Sequence, residues 1–241
     1  MRRLGILLAP LLPLAAQAEE RIDLPTRPNV TEPVYATFAP HPPASLILFP
    51  GADGIYAKSA RNFLVRIAPE LEHQGFSVLI VDTPSDHPGG MTWPFRACAD
   101  HASDIGAMVD LAKSRSPAPV WLIGTSRGSV SAANGAAALG KRIGGVVLTS
   151  SVWAQGMAAV PLDRIVVPVL IVHNRDDGCP QSPIAGVDSA MARLTAAPAR
   201  EFVAVSGGQS RSGACEAMSP HGYLGIESQV VAPMAAWIRT H

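Results

Sequence analysis

The sequence predicts an α/β fold, a mostly parallel, doubly wound sheet flanked by helices. From residue 44 onward, apolar runs of strand length alternate with helix-spaced segments, the order that builds a parallel sheet with crossover helices. The runs are continuously apolar rather than alternating, as in strands covered by helices on both faces. One run ends in "GTSRG" (residues 124–128), a serine between glycines at the point where a strand gives way to a small-residue helix. With 241 residues and 48% apolar content, the chain is long enough to bury one hydrophobic core.

The first 18 residues, "MRRLGILLAPLLPLAAQA", carry two arginines, an apolar stretch and an "AQA" ending, the three regions of a secretory signal peptide. The apolar stretch is too short to cross a bilayer comfortably and contains Pro10 and Pro13, so a membrane anchor is disfavoured. The expectation is a leader over 1–18 and a mature protein that is periplasmic or secreted, with no stable membrane insertion. Residues 19–43 read as a proline-rich N-terminal extension in which "VYATFA" (34–39) forms an edge strand or hairpin arm. The main domain is 44–241.

Within it, "ASLILFPG" (44–51) reads as a strand, and "AKSARNFLVRIAPELEHQG" (57–75) as a helix through Phe63, Leu64, Ile67 and Leu71, weakened at Pro69. "FSVLIVDTP" (76–84) is a second strand. "RACADHASDIGAMVDLAKSR" (96–115) is a helix packed on one side through Ala97, Ile105, Met108, Val109 and Leu111. The strand "PVWLIGT" (119–125), the small-residue helix 127–141 and the strand "IGGVVLTSS" (143–151) follow. The strand 167–178, the helix 183–197, the short strand 200–208 and a terminal helix 230–241 complete the order.

Charge and cysteine content exclude several classes. With 19 basic and 19 acidic residues, zero net charge and no block of like charge, no footprint for nucleic acid or anionic lipid is visible. Three cysteines, Cys98, Cys179 and Cys215, allow at most one intramolecular bridge, and export would permit it. Their spacing shows no CxxC or histidine cluster, so no metal site is expected.

The Gly124-x-Ser126-x-Gly128 pattern is weak alone and becomes specific in its strand-turn-helix setting. Glycines two residues either side let the backbone turn sharply, holding the serine strained with its hydroxyl above the sheet, at the N-terminal dipole of the following helix. A serine nucleophile needs a base, and the base an orienting acid. Parallel sheets present such groups at the carboxyl ends of their strands. There stand Asp176 and Asp177, after "VPVLIVHN", and His221, in "GACEAMSPHGYLG" after the last strand.

With serine, acid and histidine in that order, residues 44–241 resemble an α/β-hydrolase, and "RDDGCP" with "SPHGYLGIE" is similar to small exported bacterial members of that superfamily. The resemblance implies Ser126 as nucleophile, His221 as base and an aspartate as orienter, and its pattern points to Asp177 rather than Asp176. Of the seven histidines, His173 at a strand end is the one rival to His221. His41 and His87 lie in proline-containing loops, His73 and His101 on helices where a solvated face is expected, and His241 is the terminus. A Cys179–Cys215 bridge would tie the acid loop to the histidine loop, leaving Cys98 free to pack. The resemblance also implies an oxyanion hole from the amides of Arg127 and Ala52, although Pro50-Gly51 stands where the family usually has His-Gly.

The connection 150–166 is too short for a lid. Trp93, Phe95 and Trp153 either line an acyl or alcohol pocket or belong to the core, and Arg61 and Asn62 are given no role. The implied activity is cleavage of a small-molecule carboxylic ester through an acyl-enzyme, without cofactor. Amidase, peptidase or thioesterase chemistry on the same triad, and a non-catalytic periplasmic binding protein on this scaffold, are the alternatives.

Overall fold

A computed structural model describes residues 18–241. The leader expected over 1–18 lies outside the described residues but for Ala18. Eight strands, β1 (Glu20–Arg27), β2 (Val30–Thr37), β3 (Ser45–Phe49), β4 (Ser77–Val81), β5 (Val120–Thr125), β6 (Gly145–Thr149), β7 (Val169–Asn174) and β8 (Arg200–Val205), form one sheet in the order β1-β2-β4-β3-β5-β6-β7-β8. From β4 to β8 every pairing is parallel, while β2 runs antiparallel to both β1 and β4. Among the described residues seven α-helices accompany them: α1 (Phe63–His73), α2 (Trp93–Arg96), α3 (Ala99–Arg115), α4 (Gly128–Leu139), α5 (Gln155–Ala158), α6 (Gly186–Arg193) and, after the last strand, α7 (Glu227–Thr240).

The continuous apolar runs have the expected cause. Alternate residues of each central strand point to opposite faces, and each face has its own buried cluster. Ile47, Leu122, Val146 and Ile171 pack with α3, α4 and α6 on one face, and Leu46, Ile123, Val147 and Leu170 pack with α1 and α7 on the other. Pro69 does not interrupt α1, because the stripe Phe63, Leu64, Ile67, Leu71 is fully buried and outweighs one absent backbone donor.

Of the two readings of the "VYATFA" piece, hairpin arm holds and edge strand does not, for its first four residues lie in β2, which pairs antiparallel with β1. Residues Val34–Thr37 pair with β4, and the edge is β1, whose alternating Ile22 and Leu24 are masked in sequence by polar neighbours and Pro25. The helix expected over 96–115 is likewise divided at Ala97–Cys98. There Asn134 Nδ2 donates to the Arg96 and Cys98 carbonyls at 3.1 and 2.8 Å, and Thr92 caps α2. Between β6 and β7 lie only the single turn α5 and a 3₁₀ turn, with no lid. No described helix is long and apolar enough to cross a membrane.

His101 is not on a solvated face. It heads the stripe His101, Ile105, Met108, Ala112, spaced as one helix face, and it is wholly buried against the rings of Phe95 and Phe49. Burial, aided by the positive charges of Arg96 and Arg27, drives its pKa down to about 3. The folded protein therefore keeps His101 neutral while the unfolded chain takes up its proton below about pH 6.5. The resulting cost to the fold grows from there down to about pH 3 and stays at its full size below. Urea unfolding at pH 7 and pH 4.5 should show the parent losing about 2–3 kcal/mol more than His101→Phe over that interval, and equal losses would contradict the assignment.

Candidate active site

β5 ends at Thr125 and α4 begins at Gly128, so Ser126 occupies the turn between them, with φ +52°. A residue with a Cβ is rarely found in this left-handed region and stays there only when its surroundings leave no alternative. Here the crowding is severe. A Cβ at Gly128 would collide with the Phe49 carbonyl, and one at Gly124 with the Gly128 backbone. The turn is pinned from β6 by the Ser126 amide donating to the Thr149 carbonyl at 3.0 Å. It is pinned again from within α4, where the Ser129 hydroxyl donates to the Ser126 carbonyl at 2.6 Å.

His221 sits in a 3₁₀ turn, Pro220–Gly222, capped by the Ser219 hydroxyl, which accepts from the His221 amide. Four side chains hold this loop. Asn174, at the end of β7, donates to the Gly207 and Pro220 carbonyls, both at 2.9 Å. Arg66 of α1 donates to the carbonyls of Ala217 and Gly222 and pairs with Glu227. The Ser150 hydroxyl donates to the His221 carbonyl at 2.6 Å. Tyr223, fully buried, donates its hydroxyl to the Val172 carbonyl and accepts from the Ser150 amide, each at 2.8 Å, and burial pushes its pKa up.

The three side chains meet. Asp177 Oδ2 lies 2.8 Å from His221 Nδ1, and His221 Nε2 lies 2.9 Å from Ser126 Oγ. The Asp177 side chain has no exposed surface, and its Oδ1 accepts from the Cys179 amide at 2.9 Å. Asp176 turns the other way and accepts from the Gly207 amide at 2.6 Å. His173 reaches the acid and not the serine: its Nε2 lies 3.6 Å from Asp177 Oδ2 and 2.9 Å from the Ser182 carbonyl. That carbonyl requires an Nε2–H donor, and burial keeps the ring neutral by lowering its pKa.

Cys179 and Cys215 are joined in a disulfide, and Cys98 is free and half-buried. The two cysteines are 36 residues apart, and the loop they close begins two residues after the acid and ends six residues before His221. Beside Ser126 lies a cleft of about 190 Å³ walled by Ala52, Asn62, Phe63, Glu216 and Ala217. The loop holding Ala52 abuts the serine, for a Cβ at Gly51 would stand 2.9 Å from the Ser126 Cβ. Neither the Ala52 nor the Arg127 amide donates to a protein acceptor among the described residues, so both remain available to a ligand.

Of the two readings open for Trp93, Phe95 and Trp153, packing against the core holds, and none of the three lines this cleft. Phe95 is stacked on His87, Trp153 packs on the core by Gly186, and the Arg127 guanidinium lies over the Trp93 ring. Asn62, by contrast, has a place here as the N-cap of α1, accepting from the Leu64 amide at 3.0 Å, and as part of the cleft wall. The signal was available, since asparagine directly before an apolar helical stripe is a common cap.

One group of three potential metal ligands is gathered among the described residues, Glu32, His101 and Asp104. Both oxygens of Asp104 accept from Arg27, at 2.7 and 3.1 Å, burial holds Glu32 well above the usual carboxylate pKa, and the Glu32 oxygens and both His101 ring nitrogens have no hydrogen-bond partner.

No protein-family model matches the sequence, and no curated protein does. Solved structures do. A lid-less α/β serine hydrolase from Xanthomonas campestris matches with a TM-score of 0.64 at 16% identity, covering 96% of this chain and 97% of that one. An esterase from Pyrococcus furiosus matches with a TM-score of 0.66 at 16% identity, covering 97% of each chain. A dienelactone hydrolase from Anabaena variabilis matches with a TM-score of 0.65 at 17% identity, covering 92% and 97%. The chain therefore has the α/β-hydrolase fold, in its lid-less form.

Reduction of the disulfide should lower stability in urea by roughly 4 kcal/mol, the chain-entropy expectation for a loop of this length. Melts with and without a phosphine reductant measure it, and superimposable curves would show that the bridge constrains nothing the fold does not already hold.

Proposed function

We propose that the chain is a serine hydrolase that cleaves a small carboxylic ester through an acyl-enzyme on Ser126. The observation that carries this reading is the unbroken line from Asp177 Oδ2 through both ring nitrogens of His221 to Ser126 Oγ, with contacts of 2.8 and 2.9 Å. The carboxylate selects the Nδ1–H tautomer and leaves Nε2 as acceptor. Nε2 takes the hydroxyl proton as Oγ attacks the acyl carbon, and Asp177 offsets the imidazolium charge. The amides of Ala52 and Arg127 receive the developing oxyanion, helped by the N-terminal dipole of α4. The proton then passes to the departing alkoxide. Water repeats the sequence: Nε2 removes its proton, the hydroxide attacks the acyl carbon, and Oγ leaves with the proton. No cofactor enters.

An ester rather than an amide or thioester is supported by the fold neighbours, and a short acyl group by the cleft. The fold neighbours named above include an esterase and a dienelactone hydrolase. The cleft, about 190 Å³, is below the several hundred cubic ångströms of pockets for drug-sized ligands, which suits a short acyl group. The disulfide fits an oxidising compartment, so the proposal includes removal of the 1–18 leader and a periplasmic or secreted mature chain.

A fluorophosphonate probe should label the protein stoichiometrically, and Ser126→Ala should abolish labelling. A folded parent that never labels would favour the binding-protein alternative. In a panel of acyl esters, acetyl and butyryl substrates should outrun dodecanoyl ones. Asp177→Asn should lower kcat by about ten-thousandfold, and Asp176→Asn by far less. Equal losses at the two aspartates would contradict the assigned orienter.

A further inference from the structure

The donor loop around Ala52 has one hydrogen bond within itself, from the Gly54 amide to the Gly51 carbonyl at 3.1 Å. Ala52 has φ +50°, a backbone state that a residue with a Cβ does not hold unaided, and Pro50 carries no side chain that could brace it through a hydrogen bond. The side-chain brace on the Pro50 and Ala52 carbonyls comes from α2. This helix is only four residues long, and its last, Arg96, is wholly buried. Arg96 Nη2 donates to the carbonyls of Pro50 and Ala52, both at 3.3 Å, and Nη1 donates to the Ser131 hydroxyl of α4 at 2.8 Å.

The placement of these contacts is what matters. The Pro50 and Ala52 carbonyls belong to the two peptide units on either side of the Gly51–Ala52 unit, whose N–H is the donor assigned to the oxyanion hole. A planar guanidinium that holds both neighbours fixes the orientation of the unit between them. Its contact with Ser131 ties the same plane to the helix that begins just after Ser126. One rigid fork thus sets the distance between the two halves of the hole.

A buried guanidinium is expensive and is not what packing alone would place there. Burial and the charge of Arg127 lower its pKa only to about 10, opposed by Glu32 and Asp53, so Arg96 stays protonated at neutral pH. Its backbone is also anchored, because the Arg96 carbonyl accepts from Asn134 at 3.1 Å.

We infer that Arg96 is the positioning residue of the oxyanion hole, a buried fork that clamps the Pro50 and Ala52 carbonyls and thereby aims the Ala52 amide at the oxygen of the tetrahedral intermediate. This rests on the hydrolase reading. Because that oxygen bears its charge only in the transition state, a loosened donor lowers kcat and leaves substrate binding nearly unchanged.

The test is Arg96→Lys, which keeps the charge and removes the fork. With concentrations fixed by active-site titration, kcat on a short-chain ester should fall by about a hundredfold while KM stays within about twofold. Affinity for a trifluoromethyl ketone analogue of the substrate should fall by the same factor, and affinity for the product acid should not change. A kcat per titrated site within twofold of the parent, even with a lowered Tm, would overturn the inference and leave Arg96 as a core group. If Arg96→Lys does not fold, Ser131→Ala removes one anchor of the fork without touching its charge. It should lower kcat about fivefold at constant KM, and an unaltered kcat there overturns the inference as well. A parent protein that neither hydrolyses esters nor takes the probe would retire the hydrolase reading and this one with it, whereas an active parent with unaffected variants would retire the clamp alone.

Discussion

The site depends on one crowded turn. Between the end of β3 and the start of α4 there is no room for a side chain at position 124 or 128, so the backbone passes there only as glycine and Ser126 is forced into a left-handed conformation at the apex. The strain is held by the burial of β5 and α4 on both sides, not by any feature of the serine itself. Its consequence is one of placement. The hydroxyl is lifted above the carboxyl edge of the sheet, at a helix N-terminus, where three other loops can reach it.

Those loops are organised by the sheet order. β3, β5, β7 and β8 deliver the donor loop, the serine, the acid and the approach to the histidine, all at the same edge because the strands are parallel. Position along the strand order is not enough to bring a 2.8 Å contact about. The added precision comes from cross-loop bonds: Asn174 to Gly207 and Pro220, Asp176 to the Gly207 amide, Tyr223 to Val172 and Ser150, and the Cys179–Cys215 bridge. Asp176 thus has a clear structural task beside its neighbour. His173 adds a neutral ring against the acid, helping to cover a carboxylate that has no contact with solvent.

Much of this was legible in the amino-acid order. Central strands are apolar on both faces, so their runs stand out, and the glycine spacing around Ser126 is dictated by crowding that no other residue satisfies. Chain order then carries Asp177 and His221 to the correct edge. Less was legible where the signal is weak or non-local. β1 is an edge strand with one solvated face and an internal proline, so its alternation is faint. His101 looked polar and hence exposed, although its spacing from Ile105 and Met108 puts it on the buried face. Trp93, Phe95 and Trp153 gave no indication of which surface they would pack against. Arg66, Arg96, Ser150 and Tyr223 act on residues distant in sequence, and nothing local distinguishes a buried arginine that braces a loop from an exposed one.

The central claim is that Ser126, His221 and Asp177 act as one unit beneath a two-amide oxyanion hole. A crystal structure of the protein after reaction with a small fluorophosphonate tests it most directly. The account predicts phosphorus bonded to Ser126 Oγ, with the phosphoryl oxygen within hydrogen-bond distance of both the Ala52 and Arg127 amides. An adduct on another residue, or a phosphoryl oxygen directed into solvent away from those amides, would contradict it.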